Sequence, residues 1–181
     1  EEALIVMEVD RHSGEEALAH LRNELEEVTQ EVRTAVSDFP HMREKATSIL
    51  DELETPPPSL DDTDVEEARA FLKWLVDDRF TFLGYDEYDF IREERHTQVC
   101  QRESSELGIL RSYNERPECV RMKDMPKQTR EAMTSRDSLF IFGKSAQRSR
   151  IHRPAYPDYI AIKKFDKKGR VVGERRFLGL Y

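Results

Sequence analysis

Three consecutive prolines, Pro56-Pro-Pro58, constrain this chain more than any other feature. Their fixed φ and missing N–H groups cannot continue a helix and favour extended polyproline geometry, so residues 55–59 read as a stiff linker and a boundary. The two sides of that boundary differ in character. Residues 1–78 carry 22 acidic and 7 basic side chains, a balance of −15, whereas residues 79–181 carry 15 acidic and 22 basic, a balance of +7. An acidic helical part is therefore expected to precede a basic sheet. Segregation of this kind favours contact between the halves, or docking of each on oppositely charged neighbours.

Along the acidic part, residues 4–9 form a short apolar run of strand character. Ser13-Gly-Glu-Glu16 has the S-x-x-E form of a capping box, which predicts a helix start. Leu18, Leu21, Leu25, Val28, Val32, Ala35 and Phe39 recur at steps of three and four and keep one apolar seam along that helix. Such a seam suits a coiled coil between subunits and packing within the chain equally. Pro40 should break or kink the helix, and Met42, Ala46, Ile49, Leu50 and Leu53 continue its stripe. The expectation is a bent helix, or two helices, to about Glu54. Beyond the prolines, Thr63-Asp-Val-Glu66 is a second capping box, followed by an apolar face of Ala68, Phe71, Leu72, Leu75 and Val76. Asp77 and Asp78 should end that helix. Strands are expected at 80–85, 96–103, 107–110 and 139–142, and a helical turn or two at 126–134. The clearest element is a terminal hairpin, in which residues 159–165 lead through Asp166-Lys-Lys-Gly169 into a strand from Val171. The pattern gives an antiparallel α+β domain.

At 181 residues, 38% hydrophobic and with a mean hydropathy of −0.75, the chain can bury one core and a helical appendage. No run approaches the roughly 18 apolar residues of a membrane span, and no signal peptide is visible, so the expected setting is cytoplasmic. Cys100 and Cys119 lack the C-x-x-C spacing of a zinc site and are expected to be reduced structural thiols. The seven glycines, at 14, 84, 108, 143, 169, 173 and 179, nowhere form the G-x-G-x-x-G turn that brings backbone up to a pyrophosphate. P-loop, G-x-S-x-G and H-E-x-x-H patterns are missing from the sequence as well. No catalytic, cofactor-binding or metal-ligating residue is therefore assigned. The adjacent carboxylates Asp77-Asp78 and Glu93-Glu94 make poor shared sites, because neighbouring residues point apart. His12, His20 and His41 are read as solvated, and Met122, Met125 and Met133 as adaptable packing around a small helix.

One loop gathers candidate binding groups. Arg150, His152, Arg153, Tyr156, Asp158 and Tyr159, with Arg148, bring cations, an imidazole and phenols together within twelve residues. Guanidinium groups grip carboxylates or phosphates bidentately, so the loop suits either docking on an acidic neighbour or binding an anionic effector. The hairpin adds seven Lys and Arg residues with aromatic neighbours, a composition also used for nucleic acid. A sequence pI near 5.3 and the acidic first part argue against a polyanion partner.

Residues 150–181, together with Phe71-Leu-Lys-Trp-Leu-Val-Asp-Asp-Arg-Phe-Thr-Phe-Leu-Gly-Tyr-Asp-Glu-Tyr88 and Leu107-Gly-Ile-Leu110, resemble the large bacterial NAD-specific glutamate dehydrogenases. A fainter likeness reaches back to Val6-Met-Glu-Val-Asp-Arg11. The resemblance implies a stretch of that family's ACT-like and PAS-like regulatory region. Residues 1–11 would be a remnant strand of a preceding ACT-like domain, 12–54 a helical connector, 55–62 a proline-rich linker and 63–181 a PAS-like domain. The element order matches a PAS-like sheet, although periodicity equally allows other antiparallel sheets crossed by a helix. By the same resemblance the parent binds NAD, oxidises glutamate and is a homo-oligomer, with its catalytic lysine and nucleotide fold beyond Tyr181. The strand running to Tyr181 without a polar tail reads as a cut end. The expected role is non-catalytic, regulatory or scaffolding, with other domains and neighbouring subunits as partners. The alternative is a module that senses an anionic metabolite or amino acid. Neither nucleic acid nor membrane is expected as a partner.

Overall fold

A computed structural model describes residues 4, 6–10, 14–94, 96–112 and 117–181. Its longest element is helix α1, Glu15–Glu52, which runs unbroken through Pro40. The expected break does not occur because the buried positions Ala35, Asp38, Met42, Ala46 and Ile49 stay in helical phase across the proline. Packing of that face offsets the lost hydrogen bond and the ring–carbonyl clash, which together cost a helix about 3 kcal/mol. The residue at the N-cap is Gly14, with no side-chain cap bond. Ser13, half of the expected capping box, and His12 lie outside the described residues. The expected strand at 4–9 does not form among the described residues: residues 4 and 6–10 belong to no strand, and Leu4 and Val6 are 93% and 81% exposed. A strand needs a partner for its ladder, and these residues have none in the sheet.

After the prolines, α2 spans Asp62–Trp74. Its cap is Asp61, whose carboxylate accepts the Asp64 N–H at 2.8 Å, so the Thr63-to-Glu66 box lies inside the helix. Aspartate caps better than threonine, and this earlier start puts Val65, Ala68 and Leu72 on the buried face. The helix ends through Asp77 and Asp78, the latter at φ 57°.

Among the described residues seven strands follow: β1 Thr81–Arg92, β2 Thr97–Gln101, β3 Leu107–Gly108, β4 Cys119–Arg121, β5 Phe140–Lys144, β6 Asp158–Phe165 and β7 Val171–Leu180. Helix α3, Lys127–Thr134, lies between β4 and β5. All pairings are antiparallel, in the order β4-β2-β1-β7-β6-β5, with β3 on β1, so the fold is α+β. The segment 148–154 supplies no strand. The terminal hairpin closes on Asp166, whose side chain accepts the N–H groups of Lys168 and Arg170, both at 2.9 Å, while Gly169 takes φ 68°. Those bonds and the Arg170 guanidinium hold the Asp166 carboxyl at about 2.

The main core joins both sides of the proline segment. Met42, Ala46, Ile49 and Leu53 of α1 and its end pack with Ala68, Leu72 and Leu75 against Phe82, Tyr85, Ile160, Ile162 and Phe177 of the sheet. A second contact anchors the chain near β3. Gly108 sits at φ 63°, where a Cβ would overlap the Leu83 carbonyl. Its N–H donates to Asp38 Oδ2 at 2.8 Å, and Arg111 adds Nε and Nη2 contacts of 2.5 and 3.2 Å to the same carboxylate.

The cysteines depart from expectation. Cys100 and Cys119 are directly opposite in the β2–β4 register and form a disulfide, with a Cα separation of 4.1 Å. The reduced reading failed because β4, only three residues long, left no periodicity to show that the two thiols face one another.

Candidate functional site

The basic loop 148–159 lies against α1, where Ile151 packs in one cluster with Ala35 and Arg150 meets the carboxylates that flank the apolar seam. Arg150 reaches Glu27 Oε2 at 3.1 Å and Glu31 Oε1 at 2.5 Å. The two carboxylates, Glu31's bond first, hold the guanidinium pKa well above its ordinary value. An anion binding there would have to displace both. Arg153 donates to the Tyr181 carbonyl, and Arg148 donates to Pro154 O at 2.6 Å while its guanidinium stands 5.9 Å from the Tyr156 ring. His152 is exposed and takes φ 63°. Asp158 pairs with Lys144 at 2.5 Å. The six candidates are thus dispersed: Arg150 reaches α1, Arg153 the Tyr181 carbonyl just past β7, Asp158 pairs with Lys144, Tyr159 lies on the sheet, and His152 and Tyr156 stand out in solvent.

Alternation along β1 divides two charged groups between the sheet faces. Tyr85, Glu87 and Asp89 face α1. There Glu87 accepts the Tyr85 hydroxyl at 2.7 Å and Lys45 of α1 at 3.2 Å, and pairs with Arg102 at 3.1 Å. Lys164 bridges Glu87 and Asp89 at 3.5 and 2.5 Å. Burial alone would raise the Glu87 pKa, but the Tyr85 and Lys45 hydrogen bonds and the Lys164 charge outweigh it and lower it.

On the opposite face stand Asp86, Tyr88, Lys163, Glu174 and Arg176, joined by Tyr159. The Arg176 guanidinium lies 3.4 Å from the Tyr88 ring centre, a cation–π contact, and its Nε donates to Glu174 Oε1 at 2.8 Å, with Asp86 Oδ1 at 3.9 Å. The Tyr159 hydroxyl donates to the same Glu174 oxygen at 3.2 Å. Asp86 and Glu174 are 0% and 1% exposed. Burial pushes the Tyr159 phenol up, so it stays a donor. Lys163, lowered by burial, donates to the Ser135 carbonyl at the end of α3 at 3.0 Å. Glu174 Oε2 is buried and accepts no hydrogen bond among the described residues. This face can recognise hydrogen-bond donors or cations, and its charges are too deep to act on a solvent-exposed polymer.

Curated relatives match this chain along nearly its whole length. No family model matches it. The NAD-specific glutamate dehydrogenase of Halomonas elongata is 45% identical over 181 residues, covering 99% of this chain and 11% of that protein. The corresponding enzyme of Pseudomonas aeruginosa is 37% identical over 184 residues, covering 100% of this chain and 11% of its own length. The chain is homologous to one segment of the NAD-specific glutamate dehydrogenases. Reading the sequence found Tyr159 but missed Asp86, Tyr88, Lys163, Glu174 and Arg176 as a group. The available signal was alternation: Asp86 and Tyr88 on β1, and Glu174 and Arg176 on β7, each share a strand face. Their assembly depends on the β1–β7 register, which pairs Tyr88 with Glu174 and Asp86 with Arg176. Among the described residues no helix is long and apolar enough to cross a membrane.

Proposed function

We propose that this chain is a non-catalytic regulatory or scaffolding segment of a NAD-dependent glutamate dehydrogenase. The whole protein converts L-glutamate, NAD and water into 2-oxoglutarate, ammonia and NADH, with both substrates bound outside the segment, and works in the cytoplasm as a homo-oligomer. The observation that carries this reading is similarity along the entire chain to proteins of which it spans only 11%. The lack of a glycine-rich dinucleotide turn in the sequence supports it. The antiparallel sheet, with its first hairpin beside its last, supports a PAS-like identity for the region after the prolines. The segment would act through contacts with other domains and subunits. A suitable test loosens the segment inside a full-length dehydrogenase with Met42→Ala. Retained NAD binding with a shifted glutamate dependence is expected. Unchanged kinetics across effectors would remove the regulatory role, and lost NAD binding in an intact assembly would remove the assignment of that site elsewhere.

A second reading, the sensing of a small metabolite, is favoured by one observation: the buried Glu174 oxygen beside Arg176 and Tyr159. Thermal-shift screening of amino acids and nucleotides checks it. A specific shift that disappears in Glu174→Gln supports sensing; no shift with any compound leaves scaffolding.

A further inference from the structure

The two edges of the sheet are finished differently. At one, β4 is three residues long, carries Arg121 and is joined to β2 by the disulfide, which blunts it against further pairing. At the other, β5 reads Phe140-Ile-Phe-Gly-Lys144 and, among the described residues, has β6 as its neighbour on one side only. Phe142 on this edge is 63% exposed, and its ring meets Phe71 edge-on at 5.4 Å. Phe71 in turn stacks on Trp74 at 5.9 Å, and Trp74 is 40% exposed. These rings, with Phe80, Ile160 and Tyr181, line an open cleft of about 270 Å³. An apolar edge strand beside an aromatic cleft combines main-chain pairing sites with a side-chain pocket, the two requirements for strand addition.

We propose that the β5 edge and this cleft are a docking surface, covered by another segment of the same longer polypeptide. The partner lies extended along β5 and seats an apolar side chain among Phe71, Trp74 and Phe142. The proposal rests on the preceding reading, since the relatives place this sequence within proteins of which it is 11%. Covalent connection favours such a segment over a second copy, because a tethered group has an effective concentration on the order of millimolar when its linker spans the distance.

The test compares amide exchange at 71–75 and 140–144 in a full-length dehydrogenase carrying this segment and in the 181-residue chain alone. Exchange slower by roughly tenfold or more in the longer protein is expected. Phe142→Asp in the longer protein should restore fast exchange at these residues and leave 119–121 unchanged. Phe142→Ser provides a milder variant in case the aspartate perturbs folding. Equal exchange in the two proteins overturns the proposal. Trp74 is the only tryptophan of the chain, so its fluorescence separates the remaining case. A concentration-dependent blue shift in the 181-residue chain, abolished by Phe142→Asp, would make a second copy the occupant and overturn it too. Both readouts are independent of glutamate kinetics, so their failure is distinct from failure of the regulatory role.

Discussion

The two halves of α1 share one apolar seam yet have different fates. From Ala35 onward the seam is sealed against the sheet, with Met42 and Ala46 both 0% exposed. Before it, Leu18, Leu25 and Val32 are 53%, 38% and 41% exposed, and the main ties are the Arg150 pairs and partial burial of Val28 near Ile109. The contrast teaches that a heptad-like pattern records an apolar face but not what covers it. What divides the halves is Asp38, two residues before Pro40, where a buried carboxylate binds the 108–111 segment.

The sharpest break of this comparison is Met42→Ala. Removing a fully buried side chain should cost about 2–5 kcal/mol, measured by urea unfolding, with the helix still formed at its exposed end. Asp38→Ala comes next. It leaves the Gly108 N–H and the Arg111 guanidinium without their acceptor, at about 1–3 kcal/mol. The Arg111 hydrogen bond, only partly opposed by burial, holds the Asp38 pKa below its ordinary value. A depressed folded pKa stabilises above the unfolded value of about 3.9, and that stabilisation is lost as pH falls through the folded one. Wild-type stability should therefore drop more steeply below about pH 4 than that of Asp38→Asn, as read in acid titrations of unfolding midpoint. Arg150→Ala should cost only about 0–1 kcal/mol, since Arg150 and Glu27 are largely solvent-accessible and only Glu31 is half-buried. Its signature is local: faster amide exchange over residues 15–31 and a smaller difference from wild type in high salt. Leu25→Ala should be the mildest, within about 0.5 kcal/mol. A cost near that of Met42→Ala would show that the exposed half has a partner in solution.

Much of the fold was legible where one local signal dominated. The terminal hairpin followed from Asp166 and Gly169, whose turn chemistry is self-contained, and the helix after the prolines from the period of Ala68, Leu72 and Leu75. Features fixed by distant partners were not legible. Pro40 was expected to interrupt the helix because the sheet surface that holds its flanks comes from residues 82–177. Strand β1 runs seven residues past the expected Tyr85, since charged Asp86, Glu87 and Asp89 hide its strand character until Lys45, Lys164 and Arg176 supply their partners. Strand β4 and its disulfide were too short to leave a period. For the candidate site, the loop residues were visible as a cluster of types, but the buried group around Arg176 required the register between β1 and β7.

The most direct measurement of the central reading is titration of the folded 181-residue chain with NAD and with L-glutamate, by calorimetry and by absorbance of NADH. A non-catalytic segment should show no saturable NAD binding and no NADH formation. Saturable NAD binding, or NADH production that depends on the chain, would contradict it.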